Sequence, residues 1–301
     1  MPGNGSGRDS GRDPRAQARL RRGMFLLPSL FTMGNIAAGY YAITQAIAAI
    51  GSSGDAHTHL DWAAIAILFA IPFDALDGRI ARMTNTASEF GKELDSLADV
   101  ITFGVAPSLL AFIWGFHFLP EFLRPGLRQE LVNAGAFICF VYLIGGASRL
   151  ARFNISPDAQ PRNPGRPGRK YFVGMPIPAA AWMLAATIHF FGGYPCQAWW
   201  VALGWLALVG ACGFLMVSTW RFWSGKEINL AKSHPFQILV LIAVALFLIV
   251  RFSQGILFVA ALLYMFSGIW ARAVYSWGWR RRKRLVEGEP DRDSLTRPVR
   301  F

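Results

Sequence analysis

The stretch FDALDGRIARMTNTASEFGKELDSLADV, residues 73–100, sets four aspartates in two pairs between two long apolar runs. Asp74 and Asp77 are three residues apart and Asp95 and Asp99 four apart, so each pair shares one face of a helix. A short connection brings the two helix ends together, and four carboxylates then converge where like charges repel and burial is costly. A cation must compensate. Lys92, Arg79 and Arg82 supply part of that charge, but carboxylates in this number suit divalent ions, and hard ones such as Mg2+ or Mn2+ over Zn2+. Two such ions bridged by carboxylates form a clamp for phosphoryl transfer, stabilising attacking and leaving oxygens together. Gly78 and Ala81 keep side-chain bulk off the helix face beside the carboxylates, and Gly91 does the same opposite. Arg82 offers a planar guanidinium for bidentate contact with a pyrophosphate. Taken singly, each aspartate could instead be an interfacial charge at a span end, and the small residues helix-packing positions.

Beyond this stretch, the 301-residue chain is too apolar for a soluble domain of its length, with 53% hydrophobic residues and a mean hydropathy of +0.34. A helix needs about 20 mostly apolar residues to cross a bilayer, and about eight segments qualify. They lie near 24–50, 61–82, 96–119, 131–151, 174–192, 197–217, 235–251 and 255–277. The expected fold is therefore an all-α, polytopic membrane bundle. Residues 1–23, rich in Gly, Arg, Asp and Ser, read as a disordered basic arm, 24–277 as one catalytic membrane domain, and 278–301 as a basic tail. The arm leads into a full-length span rather than a short signal sequence.

The net charge of +12 would suit nucleic acid, but Lys and Arg gather at both termini and in alternate loops, which is a topology signal rather than a nucleic-acid surface. Arg82, Lys92, Arg152, Arg162, Arg166, Arg169, Lys170, Arg221, Lys226 and Lys232 fall on the side of the termini, against Arg124, Arg128 and Arg251 opposite. Both termini and the aspartates are expected to face the cytoplasm, in a prokaryotic-type inner membrane. The three cysteines have neither disulfide nor zinc spacing.

Outside the aspartate stretch, Arg149 and Arg152 stand three apart at the end of the fourth expected span, suited to an anion or, alternatively, acting as topogenic charges. Asn154 and Lys226 are further candidates for an acceptor pocket. Thr32 and Asn35, three apart on the first span, can hydrogen-bond a nucleotide or bridge two helices. The Pro/Gly/Arg-rich loop 156–170 is a solvated linker or a lid over anionic headgroups. The proline pair in Met175-Pro176-Ile177-Pro178 marks a helix start.

The pattern Asp74-x2-Asp77-Gly78-x2-Ala81-Arg82-x8-Gly91-x3-Asp95-x3-Asp99 resembles the complete signature of the CDP-alcohol phosphotransferase family. The resemblance implies a six-helix core, two divalent metal ions (Mg2+ or Mn2+), a CDP-linked lipid donor and a homodimer. Carried over, Asp74, Asp77, Asp95 and Asp99 are metal ligands, and Asp99 is also the general base. Asp74, Gly78, Ala81, Arg82 and Gly91, joined by Thr32 and Asn35, line the CDP-lipid site. LPSLFTMGNIAAGYYAI (27–43), ITFGVAPS (101–108), ASRLARFN (147–154), YFVGMPIPAAA (171–181) and KEINL (226–230) resemble the bacterial and archaeal phosphatidylserine synthase branch. That branch implies CDP-diacylglycerol and L-serine as substrates; the anion suited to Arg149 and Arg152 is then the serine carboxylate or a donor phosphate, with Asn154 and Lys226 as further acceptor-pocket candidates. Glycerol phosphate or inositol phosphate as acceptor remains open, and so does a cation-coupled transporter, which would place the acidic residues near the bilayer midplane rather than toward span ends.

Overall fold

In a computed structural model, residues 14–52, 54–83, 89–120, 125–155, 171–223 and 251–273 are described. They form α1 (Pro14–Gly51), α2 (Ala56–Met83), α3 (Glu89–Asp99), α4 (Ala106–Phe112), α5 (Pro125–Ile155), α6 (Ile177–Phe190), α7 (Trp199–Val217) and α8 (Arg251–Ala273). Two short strands, β1 (Tyr171–Val173) and β2 (Arg221–Trp223), pair antiparallel with Phe172 opposite Phe222. Helices therefore stand at seven of the eight expected spans, and 235–251 lies outside the described residues.

Among the described residues, five helices are long and apolar enough to cross a membrane: Ala56–Leu76, Glu89–His117, Gly126–Ile155, Trp199–Val217 and Arg251–Ala273. The protein is an integral membrane protein, and apolar side chains such as Phe137, Phe140, Phe214, Leu263 and Trp270 face outward, as they must toward lipid. Two expectations shift. Helix α1 starts at Pro14, inside the segment read as an unstructured arm, because Pro suits a first helical position and Ala, Gln, Arg and Leu after it are good helix formers. Helix α6 has only 14 residues, about 21 Å, against about 30 Å of hydrocarbon. Its apolar surface on all sides meets protein instead: Ala180, Ala181 and Met183 to Ile188 are buried, so it is a core helix. Its start follows the proline signal, with Pro176 preceding the first turn and Pro178 within it.

The third span is one rod, Glu89–His117, in which α3 and α4 are joined by a π-helical turn at Val100–Val105, and a second π turn closes it at Ile113–His117. Such widened turns recur at functional sites. The first begins directly after Asp99, and its polar groups are tied to neighbours. The Thr102 hydroxyl donates to the Asn35 carbonyl at 2.9 Å, and the Tyr142 hydroxyl donates to the Phe103 carbonyl at 2.9 Å. Further along, Ser108 donates to the Cys139 carbonyl and the Trp205 indole to that of Ala111. The rod is thereby pinned to α1, α5 and α7.

Close approach needs missing side chains. A methyl on Gly39 of α1 would lie 2.5 Å from Thr102 Oγ1 and 2.9 Å from its Cα, and Gly213 of α7 lies against Tyr142 of α5 in the same manner. At the end of the bundle remote from the aspartates, His189 of α6 bonds Asp61 of α2 at 2.6 Å through Nδ1 and Ser253 of α8 at 2.9 Å through Nε2. Asp61 and Asp74 are 13 residues apart on α2, which separates the two clusters by about 20 Å.

Gly39→Ala is expected to lower the melting temperature of the detergent-solubilised protein, since overpacking a tight contact costs about 1–3 kcal/mol. Gly204→Ala, where the added methyl meets nothing within 4 Å, should leave it unchanged or slightly raised. Equal melting temperatures for the two variants would show that the α1–rod contact contributes nothing to stability.

Candidate metal and substrate site

Asp74 comes from α2, and Asp95 and Asp99 come from two successive turns of α3. Carboxylate oxygens of the three, one from each, all lie within 4.8 Å of one another, and each side chain is half-buried. Two unit charges about 4 Å apart in an effective dielectric of 20 repel by about 4 kcal/mol, so three carboxylates cannot rest there without a compensating positive charge. The donor set is oxygen only, the kind that hard divalent cations take. The site can hold a divalent metal. Asp77, Gly78, Ala81 and Arg82 follow on α2, but their side chains lie outside the described ones. Gly91 lies one turn before Asp95 on α3.

The first helix closes the site on one side. Thr32 and Asn35 are both buried, Asn35 to 1% exposure. The Asn35 amide donates to Asp99 Oδ1 at 3.4 Å, while its own carbonyl takes the Thr102 hydroxyl from the π turn. Asn35 Oδ1 is buried with no hydrogen-bond partner among the described residues. A buried acceptor of this kind costs free energy unless a donor meets it, so it marks a place for a ligand hydroxyl or amine.

The end of α5 closes the other side, and there the two arginines part. Arg152 sends its guanidinium to the carbonyls of Val217 (3.1 Å), Val173 (3.3 Å), Ser218 (3.4 Å) and Met216 (3.5 Å). Met216, Val217 and Ser218 supply the final carbonyls of α7, which carry the partial negative charge of a helix end. Gly174 makes this possible: its φ of +76° suits glycine, and a Cβ there would collide with the Met216 and Ser218 oxygens. Arg152 thus caps α7. Arg149 points elsewhere. It is 8% exposed, lies over the rings of Phe153 (5.8 Å) and Phe172 (5.9 Å), and is within Coulombic range of Asp74 and Asp99. Its Nε has no hydrogen-bond partner among the described residues.

Asn154 donates to Ser96 Oγ at 2.9 Å, and Ser96 in turn donates to the Lys92 carbonyl, so the end of α5 is stitched to α3 one residue from Asp95. Lys226 and the loop 156–170 lie outside the described residues. Of the expected site residues, Asp74, Asp95, Asp99, Asn35, Arg149 and Asn154 are brought to one end of the bundle. Thr102 and Ser96 belong to the same network and carry no signal of their own in the sequence, because their partners are 67 and 58 residues away.

A family profile described as CDP-alcohol phosphatidyltransferase matches residues 25–209. The chain is 36% identical to a CDP-diacylglycerol--serine O-phosphatidyltransferase of Helicobacter pylori over 214 residues, covering 68% of this chain and 75% of that protein. It is 33% identical to the protein so named in Bacillus subtilis, covering 66% of this chain and 90% of that one. With the one from Mycobacterium bovis the identity is 30%, over 82% of this chain and 79% of the relative.

Binding of Mn2+ or Mg2+ to the folded state alone should raise the melting temperature, by an amount that grows with metal concentration and is reversed by EDTA. The increment is expected to shrink by more than half in Asp95→Asn and in Asp74→Asn. An undiminished increment in both variants would move the metal away from this cluster.

Proposed function

The chain belongs to the CDP-alcohol phosphatidyltransferase family, and from that premise we propose that it transfers the phosphatidyl group of CDP-diacylglycerol to L-serine with release of CMP. The convergence of Asp74, Asp95 and Asp99 at one end of the bundle carries the reaction type. Relatives named for the serine reaction, together with the buried guanidinium of Arg149 beside that cluster, support serine as the acceptor.

In this reaction the serine hydroxyl oxygen forms a bond to the lipid-side phosphorus of the donor. The bond from that phosphorus to the bridging oxygen breaks, and CMP leaves with that oxygen. Asp99 takes the hydroxyl proton. The Asn35 amide holds one of its oxygens, which turns the other toward the acceptor. Arg149 receives the serine carboxylate, an interaction favoured by its desolvated setting. Two ions, Mg2+ or Mn2+, held by Asp74, Asp77, Asp95 and Asp99 would supply charge stabilisation for the diphosphate. Gly78, Ala81, Arg82 and Gly91 shape the nucleotide side, and Thr32 with Asn35 Oδ1 offers it hydrogen bonds.

Lys92 of α3 and Arg152 of α5 stand toward the aspartate end of their helices, and with the excess of Lys and Arg expected on that side this supports a cytoplasmic active site in a prokaryotic-type inner membrane, with both basic ends of the chain facing the same way. There a water-soluble acceptor meets a lipid donor. The working unit is read as a homodimer on the family resemblance. With glycerol phosphate or inositol phosphate as acceptor, Arg149 would hold a phosphate instead of a carboxylate.

CMP release from CDP-diacylglycerol in the presence of serine, glycerol phosphate or inositol phosphate tests the acceptor. Serine-dependent release well above the others is expected, and robust release with another alcohol alone would overturn the assignment. Asp99→Asn should reduce turnover by at least about a hundredfold while the protein stays folded, the scale of a lost general base. Near-normal activity in that variant would remove Asp99 from the mechanism. Arg149→Ala is expected to raise the KM for serine by roughly 10- to 100-fold, as for loss of a charged hydrogen-bond partner.

A further inference from the structure

A guanidinium recognises a carboxylate or a phosphate by direction as well as by charge, because its N–H groups lie in one plane and bond along its edges. A long side chain that is free before binding must give up its rotamer freedom when the anion arrives, and affinity falls by that cost. Whatever holds Arg149 beforehand therefore bears on recognition of the acceptor.

Two rings from different elements lie beside its guanidinium carbon. The ring of Phe153, one turn further along α5, is 5.8 Å away, and that of Phe172 on β1 is 5.9 Å away. Aromatic faces hold a guanidinium in place and accept none of its N–H bonds, which stay available to an anion. In keeping with this, Arg149 Nε is buried with no hydrogen-bond partner among the described residues.

Phe153 is brought to this place by α5 itself, whereas Phe172 is brought by the pairing of β1 with β2. Opposite Phe172 stands Phe222, which is 1% exposed and rests on α8 at Gly268, where a Cβ would collide with its Cε1 and Cζ. On the next residue, the Val173 carbonyl accepts from Arg152 at 3.3 Å, and the Gly174 N–H donates to the Trp220 carbonyl at 2.8 Å. Arg152 thus fixes the strand that carries Phe172, and it serves the same end as Arg149 at one remove. The end of α5 is in turn joined to α3 by the bond from Asn154 to Ser96, one residue from Asp95. The bracket around Arg149 therefore stands at the aspartate end of the bundle, on elements that carry none of the aspartates.

We propose that Phe153 and Phe172 are positioning residues that hold the Arg149 guanidinium ready for the acceptor's anionic group. This rests on the reading that Arg149 meets the acceptor. The donor lies with the aspartates in that reading, so loss of a ring acts on one substrate and not on the other.

The test is steady-state kinetics on full-length protein carrying Phe172→Leu, Phe172→Tyr, Phe153→Leu, Arg149→Gln, or Phe172→Leu together with Arg149→Gln. Phe172→Leu keeps an apolar side chain beside the guanidinium and removes the ring. It is expected to raise the KM for serine roughly three- to tenfold, the cost of ordering one long side chain on binding. The KM for CDP-diacylglycerol and the melting temperature should stay close to those of the unaltered protein. Phe172→Tyr, which keeps the aromatic face, should hold the serine KM within about twofold. In the Arg149→Gln background, Phe172→Leu should add little, because the effect travels through the guanidinium. Phe153→Leu, at a position 44% exposed, should give the same split between substrates and answers the question if Phe172→Leu does not fold. An unchanged serine KM in Phe172→Leu and Phe153→Leu, equal rises for both substrates, Phe172→Tyr as impaired as Phe172→Leu, or full additivity in the cycle would each overturn the assignment. Silent ring variants beside an impaired Arg149→Gln sink the positioning role alone, whereas an unchanged serine KM in Arg149→Gln sinks the reading beneath it as well. If the acceptor panel selects another anionic alcohol, the same variants are read on that alcohol's KM.

Discussion

Three carboxylates held within 4.8 Å of one another are a standing source of repulsion, and much of the architecture follows from keeping them there. Left to itself, such a cluster would relax by splaying its helices apart. Opposing that are bonds that reach across the fold to residues beside each aspartate of α3. Thr102 ties the turn after Asp99 to α1, Asn154 ties Ser96 to α5, and Asn35 holds Asp99 itself. None of these groups is a charge that would cancel the carboxylates. Arg149 lies within Coulombic range of Asp74 and Asp99, and a divalent cation would gain further from the negative potential that the scaffold confines.

Rigidity here comes from small residues as much as from bonds. Gly39 allows α1 to touch the backbone at Thr102, and Gly213 allows α7 to touch Tyr142. In a bilayer, where the surrounding lipid is as apolar as the side chains, close backbone approach and internal hydrogen bonds carry helix association. The π turn at Val100–Val105 sits where both kinds of contact meet, directly after Asp99. A regular α-helical turn there would rotate everything beyond it relative to the aspartates by the difference between the two helical periods. The widened turn thus sets how the apolar part of the rod faces α5 and α7 while Asp95 and Asp99 face α2.

The aspartate motif and most helices were legible because both are local. Spacing alone puts Asp95 and Asp99 on one face, and about 20 apolar residues announce a span. The length of α6 was not, since Ala180 to Ile188 are equally apolar whether they meet lipid or protein. Nor was the division between the arginines. Arg149 and Arg152 look equivalent in sequence, yet Gly174 creates a turn that places one of them on the last carbonyls of α7. The network of Asp61, His189 and Ser253 joins residues up to 128 positions apart and had no local signature at all.

That network bears on the catalytic end even though it lies about 20 Å away along α2. Helix α8 presents many side chains outward, and its contacts with the bundle include the Ser253–His189 bond near one end and the Phe222 contact nearer the other. A helix tethered only at Phe222 could pivot about that contact. A second anchor at the far end removes that freedom. The polar trio, costly to place in an apolar bundle, ties α8 to α6 and α2 at that end, with the desolvation of His189 and Asp61 offset by their 2.6 Å bond.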